Sequence, residues 1–488
     1  MKSILFYSLL NSLSIKIPPN ILNFSIKSIC CDSNSVEKDC LFLGIPGENF
    51  NGGVFWDEAI RNGAAAAIIG KSACIEKPPK ESDQVLVIPD PVEEVFGNLI
   101  SKFWDNPSKK MKLIGVTGTN GKTTTTFILE FLVKRFRNNT ALFGTLFNRW
   151  SNFEEKAIHT TNFSYDLQRK LFLAYQSNVE YVILEVSSHA LAQGRVAGCE
   201  FASAIFTNLS RDHLDYHATM ESYFETKASL FTSNYLVNKN ILPVINVDNE
   251  WGKLLANRLK GRCLRAGINQ KEIYKNNDLE IYVTEIDYRE EGTFCNLHTP
   301  SGDTKLYIPL IGEYNLMNVI QSFGMLIQFG FDLQELSEAI RYFPGVPGRM
   351  EKINCREELL SSKISIPTVI VDYAHTPDGL KNILINLRRI YSGKIICLFG
   401  CGGDRDTSKR SVMGSIAEKY SDKVVITSDN PRNEDPKRII NDILLGVAGK
   451  NNIIVEVDRI KAIEIAINLA SKDDIVLIAG KGHEDYQV

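Results

Sequence analysis

The chain has 488 residues, of which 44% are hydrophobic and 23% charged, and its formal net charge is −3. This length is sufficient for two to four packed domains, and a near-neutral charge does not suggest a nucleic-acid-binding protein. The ten cysteines include no C-x-x-C pair, so we expect reduced thiols and a cytoplasmic protein. No apolar stretch reaches the ~20 residues of a membrane span, and the start MKSILFYSLL is too short in its apolar run for an export signal.

The first segment, residues 1–109, has the predicted pattern of a small α/β domain. It contains the apolar run CLFLGI, an alanine-rich helix pattern in DEAIRNGAAAAIIG, and the run QVLVIPDP. The turn-rich stretch WDNPSKK marks its end.

The second segment, residues 110–343, alternates strand-like and helical runs. The strand-like runs are KLIGVTG, YVILEVSS, SAIFTNLS and ILPVINVD. Strands that are apolar throughout, with helices between them, predict a mostly parallel sheet covered on both faces. The polar stretch LEIYVTEIDYREEGTFCNLHTPSGDTKLYIPL predicts an antiparallel edge, and NLMNVIQSFGMLIQFG has the apolar spacing of a helix.

The third segment, residues 344–488, follows the linker-like stretch FPGVPGRME. Its short apolar runs are TVIVDYA, KIICLFG, KVVITSD, NIIVEV and DIVLIAG. Ligands of open α/β sheets sit at the carboxyl ends of the strands, so the polar residues after these runs are the first functional candidates. The predicted fold class is therefore α/β with three domains: a small N-terminal domain, a central P-loop-like domain and a C-terminal Rossmann-like domain.

The stretch TGTNGKTTTT follows a buried strand and precedes a helical pattern, which is the arrangement of a phosphate-binding loop. Gly118 and Gly121 allow the backbone N–H groups to turn toward an anion. Lys122 supplies a positive charge, and Thr123 a hydroxyl for Mg²⁺. Val116 occupies the first glycine position of the strict G-x-x-x-x-G-K-[ST] pattern.

Polar clusters follow the other predicted strands. Glu185 ends one strand, and TNLSRDHLDYH follows the next with Asp212, His213, Asp215 and His217. Together with Lys122, these residues at strand ends indicate a metal site. Lys227 stands among apolar residues of a helical pattern, and by itself this pattern is typical of a lysine whose amine reaches out to water. In the third segment, four clusters at four strand ends, VDYAHTPDGL, GCGGDRD, SDNPRNEDP and GKGHEDYQ, indicate a ligand-facing rim.

These clusters, in this order, resemble those of the Mur ligases, the ATP-dependent enzymes that add amino acids to the peptidoglycan precursor. The matching motifs are GVTGTNGKTTT, EVSSHAL, FTNLSRDHLDYH, YFETKASLF, GEYNLMN, PGRME, DYAHTPDGL, GCGGDRD, SDNPRNEDP and GKGHEDYQ. They extend from about Gly115 to Gln487. DNPR, at Asp429 to Arg432, resembles the signature of the members that add meso-diaminopimelate to UDP-N-acetylmuramoyl-L-alanyl-D-glutamate.

The resemblance implies a role for each matching residue. ATP phosphates would be bound by Gly118, Thr119, Asn120, Gly121, Lys122, Thr123 and Thr124. Other ATP-facing residues would be Asn315, Arg349, Asp372 and His375. Two Mg²⁺ ions would be held by Thr123, Glu185, His213 and a CO₂-derived carbamate on Lys227. Lys122, Lys227, Glu185 and His213 would form the catalytic set.

The substrates implied by the resemblance are the UDP-linked dipeptide and meso-diaminopimelate, with a monomeric protein expected. The dipeptide would contact Thr160, Thr161, Ser187, Gln193 and Arg195, with the uridine end near Ser33 and the GENF turn. The diamino acid would contact Arg405, Asp429, Asn430, Pro431, Arg432, Gly480 and Glu484. A surface salt bridge between Arg432 and Glu434 or Asp435 is the alternative interpretation of that arginine.

The sequence departs from the family pattern at three places, and each departure has a predicted consequence. Asn34 stands where the family has arginine, which predicts weaker nucleotide-sugar binding. Asn162 replaces a proline, which predicts a less rigid loop. Relatives continue beyond the position of Val488 with a strand and a helix, so we expect either a less stable last domain or a sequence that is a piece of a longer chain.

Three alternative functions stay open from sequence. The chain could be a sister ligase that adds L-lysine, or a nucleotide-binding relative that has lost catalysis. A folate-glutamate ligase is a more distant alternative, and the stretches HTTNF and DNPR count against it.

Overall fold

The structure is a computed structural model that describes residues 3–47, 50–268, 280–353, 367–449 and 452–488. The chain packs into two compact units. The first comprises Met1–Gly115, Arg137–Ser203 and Ser229–Asn238, and the second comprises Val116–Phe136, Ala204–Ala228 and Lys239–Val488.

The first unit is built on a four-stranded parallel sheet and a second group of strands. The small strands β1 (Ile4–Leu5) and β2 (Ser25–Ile26) pair antiparallel. The parallel sheet has the order β3 (Ser28–Cys30), β4 (Cys40–Leu43), β5 (Ala66–Gly70) and β6 (Val85–Ile88). The other group has the order β10 (Phe153–Lys156), β9 (Phe147–Trp150), β8 (Thr140–Phe143), β11 (Tyr181–Glu185) and β7 (Lys112–Thr117).

Short helices cover these strands. The α-helices that lie in the first unit are Phe6–Asn11, Trp56–Arg61, Lys71–Glu76, Glu93–Phe103, Ser164–Gln176 and Ser188–Ala192. Three 3₁₀ turns are Ser33–Ser35, Gly52–Phe55 and Pro107–Lys110. The last of these turns lies in the predicted boundary stretch WDNPSKK. The exact boundaries of three domains stay a prediction.

The alanine-rich helix predicted in the first segment is wrong over its second half. The helix ends at Arg61, Gly63 takes φ +114°, and Ala66–Gly70 form a strand. Ala66 and Ala67 are fully buried between two neighbouring strands. Tertiary burial on both faces therefore overrides the helix propensity of alanine.

The second unit contains two groups of strands. In the first group β12 (Ser203–Phe206), β13 (Val244–Asn246), β14 (Leu264–Gly267) and β15 (Ile281–Arg289) run parallel, and β16 (Gly292–Thr299) and β17 (Gly302–Ile308) follow as antiparallel edge strands. The predicted antiparallel edge is therefore confirmed. The second sheet has the order β18 (Glu351–Lys352), β19 (Thr368–Asp372), β23 (Ile475–Ala479), β20 (Ile395–Phe399), β21 (Lys423–Ile426) and β22 (Ile453–Val455).

Within that second sheet, only β18 pairs antiparallel to its neighbour. All five strands predicted in the third segment are thus present. Helices that lie wholly or mainly in the second unit are Lys122–Arg135, Leu214–His217, Met220–Thr232, Glu250–Leu259, Glu313–Gln328, Leu333–Ile340, Pro377–Ile390, Lys409–Tyr420, Pro436–Leu444 and Arg459–Asn468. Across the residues that the structure describes, no helix is long and apolar enough to span a membrane.

Candidate active site

The glycine loop after β7 adopts the predicted strand–turn–helix geometry. Gly118 and Gly121 have φ of +149° and +85°, a region in which side chains other than glycine are strained. A Cβ at Gly118 would lie 2.0 Å from Thr207 Oγ1, and one at Gly121 would lie 2.5 Å from Asn318 Oδ1. The helix Lys122–Arg135 starts directly after Gly121, so its N-terminal N–H groups face the loop.

Residues that follow β12 hold the loop in place. Asn208 O accepts a hydrogen bond from Thr119 N at 2.9 Å, and Asn208 Oδ1 accepts one from Asn120 N at 3.0 Å. Thr207 Oγ1 donates to Asn120 O at 2.6 Å. Ser210 N donates to Thr119 Oγ1 at 3.0 Å. Sequence reasoning missed these three supports, although they lie within the quoted motif FTNLSRDHLDYH at the end of a strand.

Two lysines converge on one carbonyl oxygen of the loop. Lys122 Nζ and Lys227 Nζ each lie 2.9 Å from Gly118 O. Lys227 is 1% exposed, and its Nζ stands 4.8 Å from the centre of the Tyr223 ring. Burial, together with the charge of Lys122, lowers the pKa of Lys227 well below its usual value. Lys227 therefore does not reach out to water, and its surroundings disfavour the charged ammonium form.

An acidic group lies between two histidines near the loop. Asp212 Oδ2 is 3.4 Å from His213 Nε2 and 3.9 Å from His375 Nε2. Burial raises the pKa of Asp212, but His213, His375 and Lys409 together hold it below its usual value. Burial lowers the pKa of His375, and the nearby Asp212 only partly offsets this effect. The structure thus brings together the DHLDYH and DYAH motifs.

Arg349 connects the linker to the glycine loop. Its Nη2 donates to Thr123 Oγ1 at 3.4 Å, and its guanidinium lies 4.1 Å from the centre of the Tyr373 ring. Asp372 accepts hydrogen bonds from Met350 N and Ala374 N, both at 2.7 Å, and burial raises the pKa of its carboxyl. These contacts place Arg349 and Asp372 beside the predicted nucleotide site.

Two further residues of the predicted nucleotide set are buried. Asn315 Nδ2 donates to Ile311 O at 2.9 Å, so this buried amide is hydrogen-bonded to a carbonyl just before the start of its own helix. Thr124 is 5% exposed in the first turn of the helix after the loop.

In the first unit, a buried carboxylate forms a second candidate centre. Glu185 is fully buried at the end of β11, and its Oε1 and Oε2 accept hydrogen bonds from Thr145 N and Thr145 Oγ1, both at 3.0 Å. Thr160 Oγ1 lies 3.1 Å from Thr145 Oγ1. Sequence reasoning missed Thr145, and the signal for it was its position at the carboxyl end of the adjacent strand β8.

The other residues predicted to contact the dipeptide adjoin Glu185. Thr161 Oγ1 donates to Glu185 O at 2.7 Å and accepts from Ser187 N at 3.0 Å. Arg195 Nη1 donates to Thr161 O at 3.0 Å, while Arg195 Nη2 donates to Gln193 Oε1 at 2.7 Å. All five predicted residues therefore belong to one polar cluster.

Asn34 and Asn162, which depart from the family pattern, both make local hydrogen bonds. Asn162 is 5% exposed, and its Nδ2 donates to Asp166 Oδ2 at 2.7 Å, so a hydrogen bond holds the loop where the family has proline. Asn34 N donates to Asp32 Oδ1 at 3.0 Å. Ser33 is buried and donates to Glu58 Oε2 at 3.0 Å. In the predicted GENF turn, Glu48 and Asn49 lie outside the described residues.

In the second sheet of the second unit, the DNPR and GKGHE motifs meet. Asn430 Nδ2 donates to Glu484 Oε2 at 2.8 Å, and Lys481 Nζ lies 2.9 Å from Asn430 Oδ1 and 3.0 Å from Glu484 Oε2. A Cβ at Gly480 would lie 2.8 Å from Asp429 Oδ2. Glu484 therefore has a lysine partner that sequence reasoning did not name.

Arg432 has φ +53°, and its Nη1 donates to Gly403 O at 2.7 Å. Glu434 pairs instead with Arg410, and Asp435 caps a helix through Lys437 N. The alternative interpretation of Arg432 as a salt-bridge partner of these two acids is therefore wrong for the described residues. Pro431 is half-buried between Asn430 and Arg432, and Arg405 is exposed on the neighbouring loop.

Within the described ranges, no group of three or more His, Cys, Asp or Glu side chains is arranged to hold a metal ion. Hydroxyl and carbamate oxygens, which the resemblance implies as ligands, are donors that suit Mg²⁺.

Three family profiles match the chain. They are "Mur ligase family, catalytic domain" at residues 25–104, "Mur ligase middle domain" at residues 116–326 and "Mur ligase, glutamate ligase domain" at residues 348–482. A UDP-N-acetylmuramoyl-L-alanyl-D-glutamate--2,6-diaminopimelate ligase of Prochlorococcus marinus subsp. pastoris is 51% identical over 488 residues, which cover 100% of this chain and 95% of the relative.

Solved structures agree with these matches. A structure of UDP-N-acetylmuramoyl-L-alanyl-D-glutamate--2,6-diaminopimelate ligase has a TM-score of 0.69 and 32% identity, and the match covers 100% of this chain and 95% of that one. The MurF ligase of Thermotoga maritima in complex with ADP has a TM-score of 0.63 and 19% identity, with 93% of each chain covered, which shows a shared fold.

The fold and its glycine loop define a three-domain α/β protein of the nucleotide-dependent ligase class. The chain belongs to the Mur ligase family, whose members use ATP. The predicted α/β class with three domains is thereby confirmed.

Proposed function

We propose that this chain is an ATP-dependent ligase that adds meso-2,6-diaminopimelate to UDP-N-acetylmuramoyl-L-alanyl-D-glutamate in cytoplasmic peptidoglycan precursor synthesis. The observation that supports this function most directly is the 51% identity to a relative of that name over the full chain. The DNPR and GKGHE residues, which meet at one strand-end site, also support it.

The reaction requires two anions to meet. The substrate carboxylate must attack the γ-phosphorus of ATP, which releases ADP and forms an acyl phosphate. A carboxylate ~4 Å from one phosphate charge is repelled by about 4 kcal/mol at an effective dielectric of ~20. Lys122 offers a positive charge to the phosphates when it releases Gly118 O, and the N-terminus of its helix adds a partial positive charge.

Lys227 is suited to become a carbamate. A neutral amine is the form that attacks CO₂, and burial beside Lys122 keeps the pKa of Lys227 low. The attack forms an N–C bond and releases one proton, and it turns a buried base into an anion. That anion would lie next to the positive charge of Lys122, which attracts it and stabilises the carbamate.

Mg²⁺ fits the donors on this side of the site. Thr123 offers a hydroxyl, Lys227 would offer carbamate oxygens, and His213 would offer an imidazole nitrogen. When bound, Mg²⁺ would neutralise the charge that builds up on the phosphate oxygens. For Glu185, considered by itself in the first unit, the proposed role in metal binding is supported by its buried carboxylate, which Thr145 orients.

The incoming amino acid must be distinguished from lysine. Diaminopimelate carries one more carboxylate than lysine, and Arg432 can bind it with two parallel hydrogen bonds. Glu484 would accept the ammonium at the same end, with Asn430 beside it. If L-lysine bound, Arg432 would lack the second carboxylate of the substrate. By analogy with truncated charge pairs, this loss would weaken binding by about 2–5 kcal/mol.

The test is the dependence of ADP release on the amine. Purified protein is given ATP, Mg²⁺ and the UDP-dipeptide with diaminopimelate, L-lysine or no amine. We expect ADP release with diaminopimelate at least thirty-fold faster, by kcat/KM, than with lysine. If lysine is the better substrate, the proposal for DNPR is wrong. If the chain binds ATP but releases no ADP with any amine, the chain is an inactive relative.

An isotope experiment tests the acyl phosphate separately. Oxygen-18 in the acceptor carboxylate should appear in the released inorganic phosphate, because the carboxylate oxygen attacks phosphorus and then leaves with it. Unlabelled phosphate would exclude this route.

A further inference from the structure

The largest fully buried side chain of the described residues is an arginine that no step of the proposed reaction uses. Arg410, in the first turn of the helix Lys409–Tyr420, is 1% exposed. Burying a guanidinium is costly unless it is paired, and both terminal nitrogens of Arg410 have partners, although its Nε has none among the described residues. The groups that pair with it therefore indicate what it holds together.

Arg410 binds Glu434 with both terminal nitrogens. Arg410 Nη1 lies 2.9 Å from Glu434 Oε2, and Arg410 Nη2 lies 2.8 Å from Glu434 Oε1. Arg410 Nη1 also lies 2.9 Å from Asp442 Oδ2, and Arg410 Nη2 donates to Gly402 O at 3.2 Å. The bidentate geometry requires a planar fork, which lysine lacks.

These partners belong to two different loops of the proposed amino-acid site. Gly402 lies in the loop that follows β20, and Glu434 lies just beyond the DNPR motif, in the loop that follows β21. Glu434 Oε1 additionally accepts a hydrogen bond from Asp404 N at 2.6 Å. The Arg410–Glu434 pair thus fastens the first loop to the second at two points.

The fastened loops determine where Arg432 stands. Arg432 Nη1 donates to Gly403 O at 2.7 Å, and Gly403 is the residue between Gly402 and Asp404. Gly403 N in turn donates to Asn430 O at 2.9 Å. A Cβ at Gly403 would lie 1.9 Å from Pro431 O, so the loops touch closely at this point.

We propose that Arg410 and Glu434 are positioning residues that set amino-acid selectivity by fixing the Gly402–Asp404 loop against which the Arg432 guanidinium is oriented. This inference rests on the proposed function, in which Arg432 binds the second carboxylate of a diamino acid. Neither Arg410 nor Glu434 touches substrate. Without the pair, the Gly403 carbonyl shifts and Arg432 loses its fixed direction.

The experiment measures a selectivity ratio. For wild type, Arg410→Lys and Glu434→Gln, kcat/KM is determined with meso-diaminopimelate and with L-lysine. The ratio of the two values does not depend on the fraction of folded enzyme, so a merely destabilising change leaves it constant. We expect the ratio to fall at least ten-fold in both variants, with KM for ATP unchanged within two-fold.

A control uses a more exposed arginine–carboxylate pair that flanks the same sheet. Arg388 Nη2 lies 2.5 Å from Asp422 Oδ2, and Asp422 also accepts from Ile395 N at the amino end of a strand. Arg388→Lys should lower the melting temperature slightly and leave the selectivity ratio unchanged. Circular dichroism of all variants gives the melting temperatures.

The outcomes separate the two proposals. A wild type without amine-dependent ADP release overturns the proposed function itself. A wild type that prefers diaminopimelate, with Arg410→Lys and Glu434→Gln that keep the same ratio, overturns only the positioning role. An equal fall of the ratio in the Arg388→Lys control would also overturn it, because the effect would then be general to the domain.

Discussion

Lys122 and Lys227 donate to the same acceptor, the carbonyl oxygen of Gly118, at the same distance of 2.9 Å. Two ammonium groups on one carbonyl repel each other, and burial adds to the cost for Lys227. The arrangement favours a change of one lysine from cation to neutral amine or to carbamate, and Lys227 is the buried one.

Replacing Lys227 with alanine should abolish turnover, because alanine has no amine on which the carbamate oxygens can form. A short carboxylate such as formate added to Lys227→Ala should restore part of the activity. Turnover is followed by ADP release, and binding of ATP serves as the control for folding. Normal activity of Lys227→Ala would show that the carbamate has no role.

Stability should depend on pH through the same side chain. Because the folded pKa of Lys227 is lowered, the unfolded chain binds a proton there more readily than the folded chain does. This difference destabilises the folded protein and disappears as the pH rises toward 10.5. Lys227→Met should therefore raise the free energy of unfolding at pH 7 in CO₂-free buffer, with a smaller gain at pH 9.5. Denaturant titration at both pH values measures the free energy of unfolding. An equal increase at pH 7 and pH 9.5 would contradict the lowered pKa of Lys227.

Arg432→Ala should increase the apparent KM for diaminopimelate about thirty-fold or more, in line with the ~2–5 kcal/mol of a lost charge pair. ATP binding should be unchanged because the substitution is remote from the glycine loop in sequence and touches none of its residues. Arg438→Ala, on the exposed side of the next helix, is the control. If both variants behave alike, Arg432 has no special role.

Gly121→Ala tests the glycine loop against a glycine of similar conformation. Gly121 and Gly261 have φ of +85° and +77°, but only at Gly121 would a Cβ meet a neighbour, Asn318 Oδ1 at 2.5 Å. Both substitutions should cost about 1–2 kcal/mol for the left-handed backbone. Gly121→Ala should cost about 1–3 kcal/mol more through overpacking and should also weaken ATP binding. Calorimetry and nucleotide titration would show this, and equal effects at the two positions would disprove it.

Thr145→Val should lower kcat/KM about ten-fold, because Glu185 loses the hydroxyl that orients its carboxylate. The backbone N–H of residue 145 remains as a donor, so folding should survive. Thr140→Val is the matched control because Thr140 begins β8, the strand that precedes Thr145. The buried Thr140 Oγ1 has no hydrogen-bond partner in the described part of the structure. That variant should be as active as wild type and as stable or more stable. Full activity of Thr145→Val would show that Thr145 does not orient Glu185.

Local patterns in the sequence determined most of the strands and the glycine loop. Apolar runs such as KIICLFG and DIVLIAG are buried on both faces. Their composition alone is enough to predict that they form strands. The positive φ of Gly118 and Gly121 follows likewise from the residue types in one short turn. The alanine-rich run after Gly63 shows the limit, because burial between two strands made it a strand.

Only the tertiary structure decided which of these residues meet. Thr145 became a candidate because it follows β8, which pairs beside the strand that ends in Glu185, forty residues later. Arg410 and Glu434 are likewise separated along the chain, and nothing in either local pattern predicts a buried pair. The physical reason is that periodicity and residue type report what one segment prefers, whereas contacts between strand ends depend on the order in which the strands assemble into the sheet.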